Sequence, residues 1–285
     1  ETQNFSAGIT ENKKSGNKYC QQTHLTPPNI HDIVESRLRI SQEGAHHLGC
    51  GLFLWYPFVV SEEKEELDFS DVKGQSMAKR ALEIAAAGKH NVIMIGSPGS
   101  GKTMLCKRIT TILPPLNEKE VIESTKIYSI AGELSENKPI IDTPPFRAPH
   151  HTSTPVAIIG GGKKVVPGEV SLASGGVLFL DELAEFPRSV LESLRQPLED
   201  GVVSISRAQY KTDFIFIGAS NPCPCGFLLD DNGKCNCTQT EINKYMKKIS
   251  GPIMDRIDLH VEMRRLTEEE LMTYKSGESS KEIKE

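Results

Sequence analysis

No stretch of this chain stays apolar long enough to cross a membrane. The longest apolar run, Leu48 to Val60, covers thirteen residues and contains Pro57, whereas a span needs about 20. Its position well inside the chain also argues against a signal peptide. An excess of positive charge is missing as well. Lys and Arg total 33 against 38 Asp and Glu, a net charge of −5, so no global basic field draws in nucleic acid. Any DNA contact has to be local, in a basic groove or pore. Internal repeats and long low-complexity tracts are absent. An even set of cysteines is absent too: there are seven, and Cys223, Cys225, Cys235 and Cys237 crowd together. Without an export signal, that pattern suits a metal site better than a disulfide framework and makes the cytoplasm the default location. Glu1 in place of an initiating methionine fits a piece of a longer protein.

What is present reads as soluble and globular, with 38% hydrophobic and 25% charged residues. A length of 285 residues allows one large domain or two modest ones. Residues 1 to about 26 are polar and predicted to be poorly ordered. Ile30, Ile33, Val34 and Leu38 after Pro27-Pro28 share one helical face. The acidic run 61–66 reads as a linker, which puts a domain boundary near Leu67. Beyond it, short apolar runs alternate with helical segments. Val92 to Ile95, Val177 to Leu180, Phe214 to Ile217 and Leu259 to Met263 are predicted buried strands, and Thr103 to Leu113 a helix stopped by Pro114-Pro115. The expected fold is α/β, a parallel sheet covered by helices on both faces. Residues 266–285 form a charged tail that can start a helix at Thr267 but is too short for a lid domain.

Gly96-Ser97-Pro98-Gly99-Ser100-Gly101-Lys102-Thr103 fits G-x-x-x-x-G-K-[ST] between a predicted strand and a predicted helix. Glycines let the backbone N–H groups turn inward onto phosphate oxygens. Lys102 would reach the β- and γ-phosphates of ATP, and Thr103 would ligate Mg²⁺. Val177-Leu178-Phe179-Leu180-Asp181-Glu182 supplies what hydrolysis needs in addition. Asp181 would hold Mg²⁺ through water, and Glu182 would polarise the attacking water. Asn221, ending a strand before Pro222, fits either a turn residue or an amide that reaches the γ-phosphate. Arg256 lies between Asp255 and Asp258 and reads, on its own, as a local ion pair. Cys223-x-Cys225 and Cys235-x-Cys237, nine residues apart, can close a structural tetrahedral Zn²⁺ site; four reduced thiols or two redox pairs are the alternatives. His150 and His151 lie far from them in sequence and suit a loop or substrate contact.

Further strings resemble the magnesium-chelatase-like branch of the AAA+ ATPases, of the ComM and YifB type. They are Asp71-Val72-Lys73-Gly74-Gln75, Glu83-Ile84-Ala85-Ala86-Ala87-Gly88, Pro145-Phe146-Arg147-Ala148-Pro149-His150-His151-Thr152, Pro167-Gly168-Glu169-Val170-Ser171-Leu172-Ala173, Asn221-Pro222-Cys223-Pro224-Cys225-Gly226 and Ser250-Gly251-Pro252-Ile253-Met254-Asp255-Arg256-Ile257-Asp258-Leu259-His260. The similar stretch runs from about Leu67 to Arg265. The resemblance implies a ring-forming ATPase, a hexamer, with nucleotide at subunit interfaces. It puts Asn221 at the first sensor position and Arg256 at that of an arginine finger acting on a neighbour. It also implies two insertions facing a central pore, a hairpin over Gly201 to Thr212 and a mobile loop over Thr152 to Gly162. Arg207 and Lys211 then become candidate DNA-backbone contacts, or ordinary exposed hairpin residues. The family's N-terminal Lon-protease-like domain and C-terminal helical lid have no full counterpart in residues 1–66 and 266–285. The function implied is an ATP-driven motor on DNA, moving branched recombination intermediates. A chelatase subunit inserting Mg²⁺ into a porphyrin and a non-hydrolysing regulatory module are the rivals; the cysteines argue against the first and Asp181-Glu182 against the second.

Overall fold

The computed structural model describes residues 67–162, 165–205, 208–230, 235–249, 253–274 and 277–285. The helix expected around residues 30–38, the acidic run 61–66 and Arg207 lie outside the described residues. Among the described residues five parallel strands form the central sheet: β1 (Val92–Gly96), β2 (Phe146–Arg147), β5 (Val177–Leu180), β8 (Ile215–Ser220) and β9 (Leu259–Met263), in the order β2-β5-β8-β1-β9. Two antiparallel ribbons stand apart from it, β3 (Gly160–Gly161) with β4 (Val166–Pro167) and β6 (Val202–Ile205) with β7 (Ala208–Lys211). The four strands legible from apolar runs all form. The edge strand β2, only two residues long, is too short to show a period.

Alternation along each strand sends successive side chains to opposite faces, and both faces are packed. Val92, Met94, Val177, Phe179, Ile215 and Ile217 meet Leu82 and Ala85 of the helix Ser76–Gly88 and Leu105 of the helix Lys102–Arg108. On the opposite face Ile93, Leu178, Leu180 and Phe216 meet Ile158, Val170, Val190, Tyr245 and Ile249. Side chains with almost no exposure, such as Phe179 and Phe216, each stabilise the fold by about 1.5–3 kcal/mol. Phe146 of β2 stacks on Phe179 with ring centres 5.8 Å apart.

Two segments differ from expectation. The helix predicted to run to Leu113 is α-helical only over Lys102–Arg108 and tightens to a 3₁₀ turn at Ile109–Thr111. There the Thr111 hydroxyl donates to Arg108 O at 2.7 Å, a back-bond that competes with the α ladder. The segment Thr152 to Gly162, expected as a mobile loop, holds the helix Pro155–Ile159 followed by β3. Thr154 caps it, accepting from the Ala157 N–H at 3.2 Å, with Pro155 in the first turn.

The charged tail also docks. It carries the short helices Glu268–Thr273 and Ser280–Lys284, each opened by a reciprocal capping box, Thr267 with Glu270 and Ser279 with Glu282. The Phe69 N–H donates to Ser280 Oγ at 2.8 Å, and the Ser280 N–H to Asp68 Oδ2 at 3.0 Å. Hydrogen bonds from Ser70, and then from Ser280, hold the Asp68 carboxyl down at about 2, below its ordinary 3.8. A carboxyl depressed in the folded state stabilises above its unfolded value and loses that contribution on acidification. The melting temperature of the parent chain should therefore exceed that of Asp68→Asn near neutrality. The gap should close as pH falls from about 4 to about 2; a gap independent of pH would remove this contact from the stability of the tail.

Candidate nucleotide site

The sheet's register brings three strand ends to one edge. Ile95 is level with Ser220, and Leu180 with Gly218, so Gly96, Asp181 and Asn221 emerge side by side. Ligands of open parallel sheets bind at this carboxyl edge. Gly96 has to be glycine, since a Cβ there would lie 2.3 Å from Met263 O. Gly99 and Gly101 take φ of 79° and 92°, and a Cβ at either would meet nothing within 4 Å. They border open space, as a phosphate cradle requires.

Lys102 is only 8% exposed. Its Nζ donates to Gly96 O at 2.6 Å and Ser97 O at 3.0 Å and lies 3.5 Å from Ser100 Oγ. Burial pulls its pKa down, and the Asp181 charge works against that. The Ser97 hydroxyl is buried with no hydrogen-bond partner. An orphaned polar group, an inward-facing ammonium and an open glycine cradle fit an anionic ligand with several acceptor oxygens.

Thr103 donates its hydroxyl to Asp181 Oδ2 at 2.6 Å, joining two segments 78 residues apart. A hydroxyl and a carboxylate so placed are hard oxygen donors suited to Mg²⁺. The Glu182 N–H donates to Asp181 Oδ1 at 3.0 Å. Glu182 itself takes φ 53°, ψ 46°, a left-handed conformation that is costly for a residue with a Cβ. Its carboxylate stays accessible and lies 3.2 Å from His151 Nδ1. The His151 ring lies 4.0 Å from that of His150, tilted by 34°, and meets the edge of Phe186 at 6.4 Å.

Arg256 sits at the other end of the sheet. Asn91, just before β1, donates its side-chain amide to Arg256 O at 2.9 Å, and the guanidinium pairs with Glu199 and approaches Asp255 at 3.8 Å. The five residues of β1, at about 3.3 Å each, put about 16 Å between that end and the phosphate loop. The β6–β7 hairpin forms with Val203 and Ile205 buried and Lys211 exposed.

The four cysteine sulfurs all lie within 4.8 Å of one another. Cys223 is 3.3 Å from Cys225 and 3.8 Å from Cys235, and Cys225 is 3.6 Å from Cys235. Zinc bonds to thiolates of about 2.3 Å in a tetrahedron require sulfurs about 3.8 Å apart, so the donor set fits. The Phe227 N–H, with smaller help from the neighbouring thiols, lowers the Cys225 thiol to about 6.

The family described as "Magnesium chelatase, subunit ChlI" matches residues 68–271, a range that includes the phosphate loop, Asp181, Glu182, Asn221, Arg256 and the four clustered cysteines. An uncharacterized protein of Mycobacterium tuberculosis is 48% identical over 204 residues, covering 70% of this chain and 40% of its own. Competence protein ComM of Haemophilus influenzae is 45% identical over 228 residues, 78% of this chain and 44% of its own. YifB of Escherichia coli K12 is 46% identical over 200 residues, 69% of this chain and 39% of its own. The chain belongs to the ComM and YifB group of magnesium-chelatase-like AAA+ ATPases. It spans less than half the length of these relatives. Among the described residues no helix is long and apolar enough to cross a membrane.

Within this family member the structure gives partners to three residues that the sequence did not place at the nucleotide site. Gln75 donates its amide to Ser100 O at 3.1 Å and Arg264 O at 2.7 Å, tying the phosphate loop to the exit of β9. Arg147 pairs doubly with Glu169, at 2.6 and 2.8 Å, and with Glu133 at 2.8 Å. Two of the strings that carry the family resemblance are thus partners in one ion pair. His151 reaches Glu182 because β2 lies beside β5. A two-residue strand offers no sequence signal for that adjacency.

Proposed function

We propose that this chain is the ATP-hydrolysing core of a hexameric ring motor that works on DNA. The observation that carries the reading is the Thr103–Asp181 contact beneath an open phosphate cradle, with the Glu182 carboxylate accessible beside it. Lys102 turns from the Gly96 and Ser97 carbonyls to the β- and γ-phosphates of ATP. Thr103 directly and Asp181 through water would hold Mg²⁺, which would supply neutralisation of charge on the transferred phosphoryl group. Glu182 orients the attacking water and accepts its proton. Asn221, level with Gly96, offers its amide to the γ-phosphate. Cys223, Cys225, Cys235 and Cys237 hold a structural Zn²⁺.

Arg256 sits at the sheet end about 16 Å of strand away from its own phosphate loop, so it acts on the nucleotide of a neighbouring subunit. In the isolated subunit it rests on Glu199. Arg256→Ala should cut turnover by about a thousandfold in the assembled protein while nucleotide affinity stays within about twofold. A variant that melts earlier yet hydrolyses ATP normally would leave Arg256 as an ion-pair residue only.

The DNA part of the reading draws on the resemblance to ComM and on the exposed Lys211 of the β6–β7 hairpin. It is tested by steady-state ATPase of the full-length protein with and without forked or four-way DNA at fixed salt. Strong stimulation by branched DNA supports the motor. Turnover indifferent to DNA would keep the ATPase and assign it another substrate, a porphyrin metallation complex among them.

A further inference from the structure

The cysteine turn sits against the phosphate loop. Asn221 leaves β8, Pro222 and Cys223 are buried, and the Gly226 N–H closes the turn on Cys223 O at 3.0 Å. Gly226 takes φ +85°, and a Cβ on it would lie 2.8 Å from Pro98 Cδ, 2.9 Å from Pro98 Cγ and 3.8 Å from Asn221 Cγ. The Gly226 backbone is therefore seated directly on the Pro98 ring, at the tip of the loop that cradles phosphate. Past Pro98 the loop borders open space at Gly99 and Gly101. The tip is held from the side of the cysteine turn, and the same turn sets the position of Asn221.

The turn needs a reason to hold that shape. Three of the sulfurs are 3.3 to 3.8 Å apart, and ionised thiolates at such separations repel one another. A soft divalent cation removes the repulsion and crosslinks Cys223 and Cys225 to Cys235 and Cys237.

We propose that metal occupancy of the four-cysteine site sets nucleotide affinity, by pressing Gly226 onto Pro98 and fixing the phosphate loop and Asn221 together. The proposal rests on the readings of the phosphate loop as a nucleotide site and of the cysteines as a zinc-class site. Coupling of this kind is reciprocal: nucleotide at the loop tightens the hold on the metal by the same factor.

The test uses the full chain, Zn²⁺ and a fluorescent ADP analogue. The zinc-loaded chain should hold one Zn²⁺ and bind the analogue. Chelation should weaken nucleotide binding at least tenfold, re-addition of Zn²⁺ should restore it, and saturating ADP should raise zinc affinity by the same factor. Gly226→Val keeps all four thiols but inserts methyl groups against Pro98. Left-handed backbone at position 226 is costly for any residue with a Cβ, so the variant should melt earlier, and its zinc-loaded folded form should still bind nucleotide at least tenfold more weakly. Loaded with zinc, that variant reads the Gly226–Pro98 contact itself even if the metal-free chain unfolds. Parent-like affinity in zinc-loaded Gly226→Val, or in a folded metal-free chain, overturns the coupling. A chain that takes up no zinc overturns the metal reading, and a zinc-loaded chain that binds no nucleotide overturns the phosphate-loop reading; the proposal falls with either.

Discussion

Glu182→Gln should bind ATP as tightly as the parent and turn it over at least about a hundredfold more slowly, the range in which a positioned general base contributes. The substitution is chosen for its shape. Glu182 holds a left-handed backbone at φ 53°, and glutamine fits the same conformation, the same exposure and the same reach toward His151. Stability should therefore stay within about 0.5 kcal/mol, which separates a lost base from a lost fold. Single-turnover hydrolysis beside equilibrium nucleotide binding makes the comparison. Unchanged turnover would mean that Glu182 does not handle the attacking water, and Asp181 would then be left as a carboxylate without a catalytic neighbour.

Lys102→Ala should lower nucleotide affinity by about a hundredfold or more. Each hydrogen bond from the ammonium to a charged phosphate oxygen is worth about 1.5–3 kcal/mol, and each 1.4 kcal/mol is about tenfold. The Lys102 ammonium already spans Gly96 O and Ser97 O, at 2.6 and 3.0 Å. Both acceptors lie beside the open cradle, where water can replace it, so the empty loop should survive the truncation. Calorimetric titration with ATP, alongside circular dichroism of the variant, reads both effects. Parent-like affinity in a folded Lys102→Ala chain would remove the phosphate role.

Much of the site is legible along the chain because its parts are local. The phosphate loop occupies eight consecutive residues, and its glycines announce left-handed backbone wherever they occur. Four apolar residues followed by Asp181 and Glu182 mark a buried strand that ends at the carboxyl edge. Thr267 with Glu270 marks a helix start for the same reason, since capping involves residues three apart. Thr154-Pro155 carries an equally local helix signal, and the glycines at 160–162 obscure it in favour of a loop. Arg256 shows how far local reading extends: acidic neighbours in sequence suggest a pairing with Asp255 or Asp258, and the fold keeps Asp255 at 3.8 Å but adds a nearer partner, Glu199.

By itself, then, the sequence determined the α/β class, four of the five sheet strands, the phosphate loop with its acidic partners, and the clustering of four cysteines. Only the tertiary structure decided which strand ends adjoin. That adjacency brings His151 to Glu182, Arg147 to Glu169, Gln75 across Ser100 and Arg264, and Gly226 onto Pro98. The physical reason lies in the parallel sheet. Its neighbouring strands are joined by long crossovers, so the order β2-β5-β8-β1-β9 is set by packing apolar faces between helical layers, and no short stretch of residues encodes it.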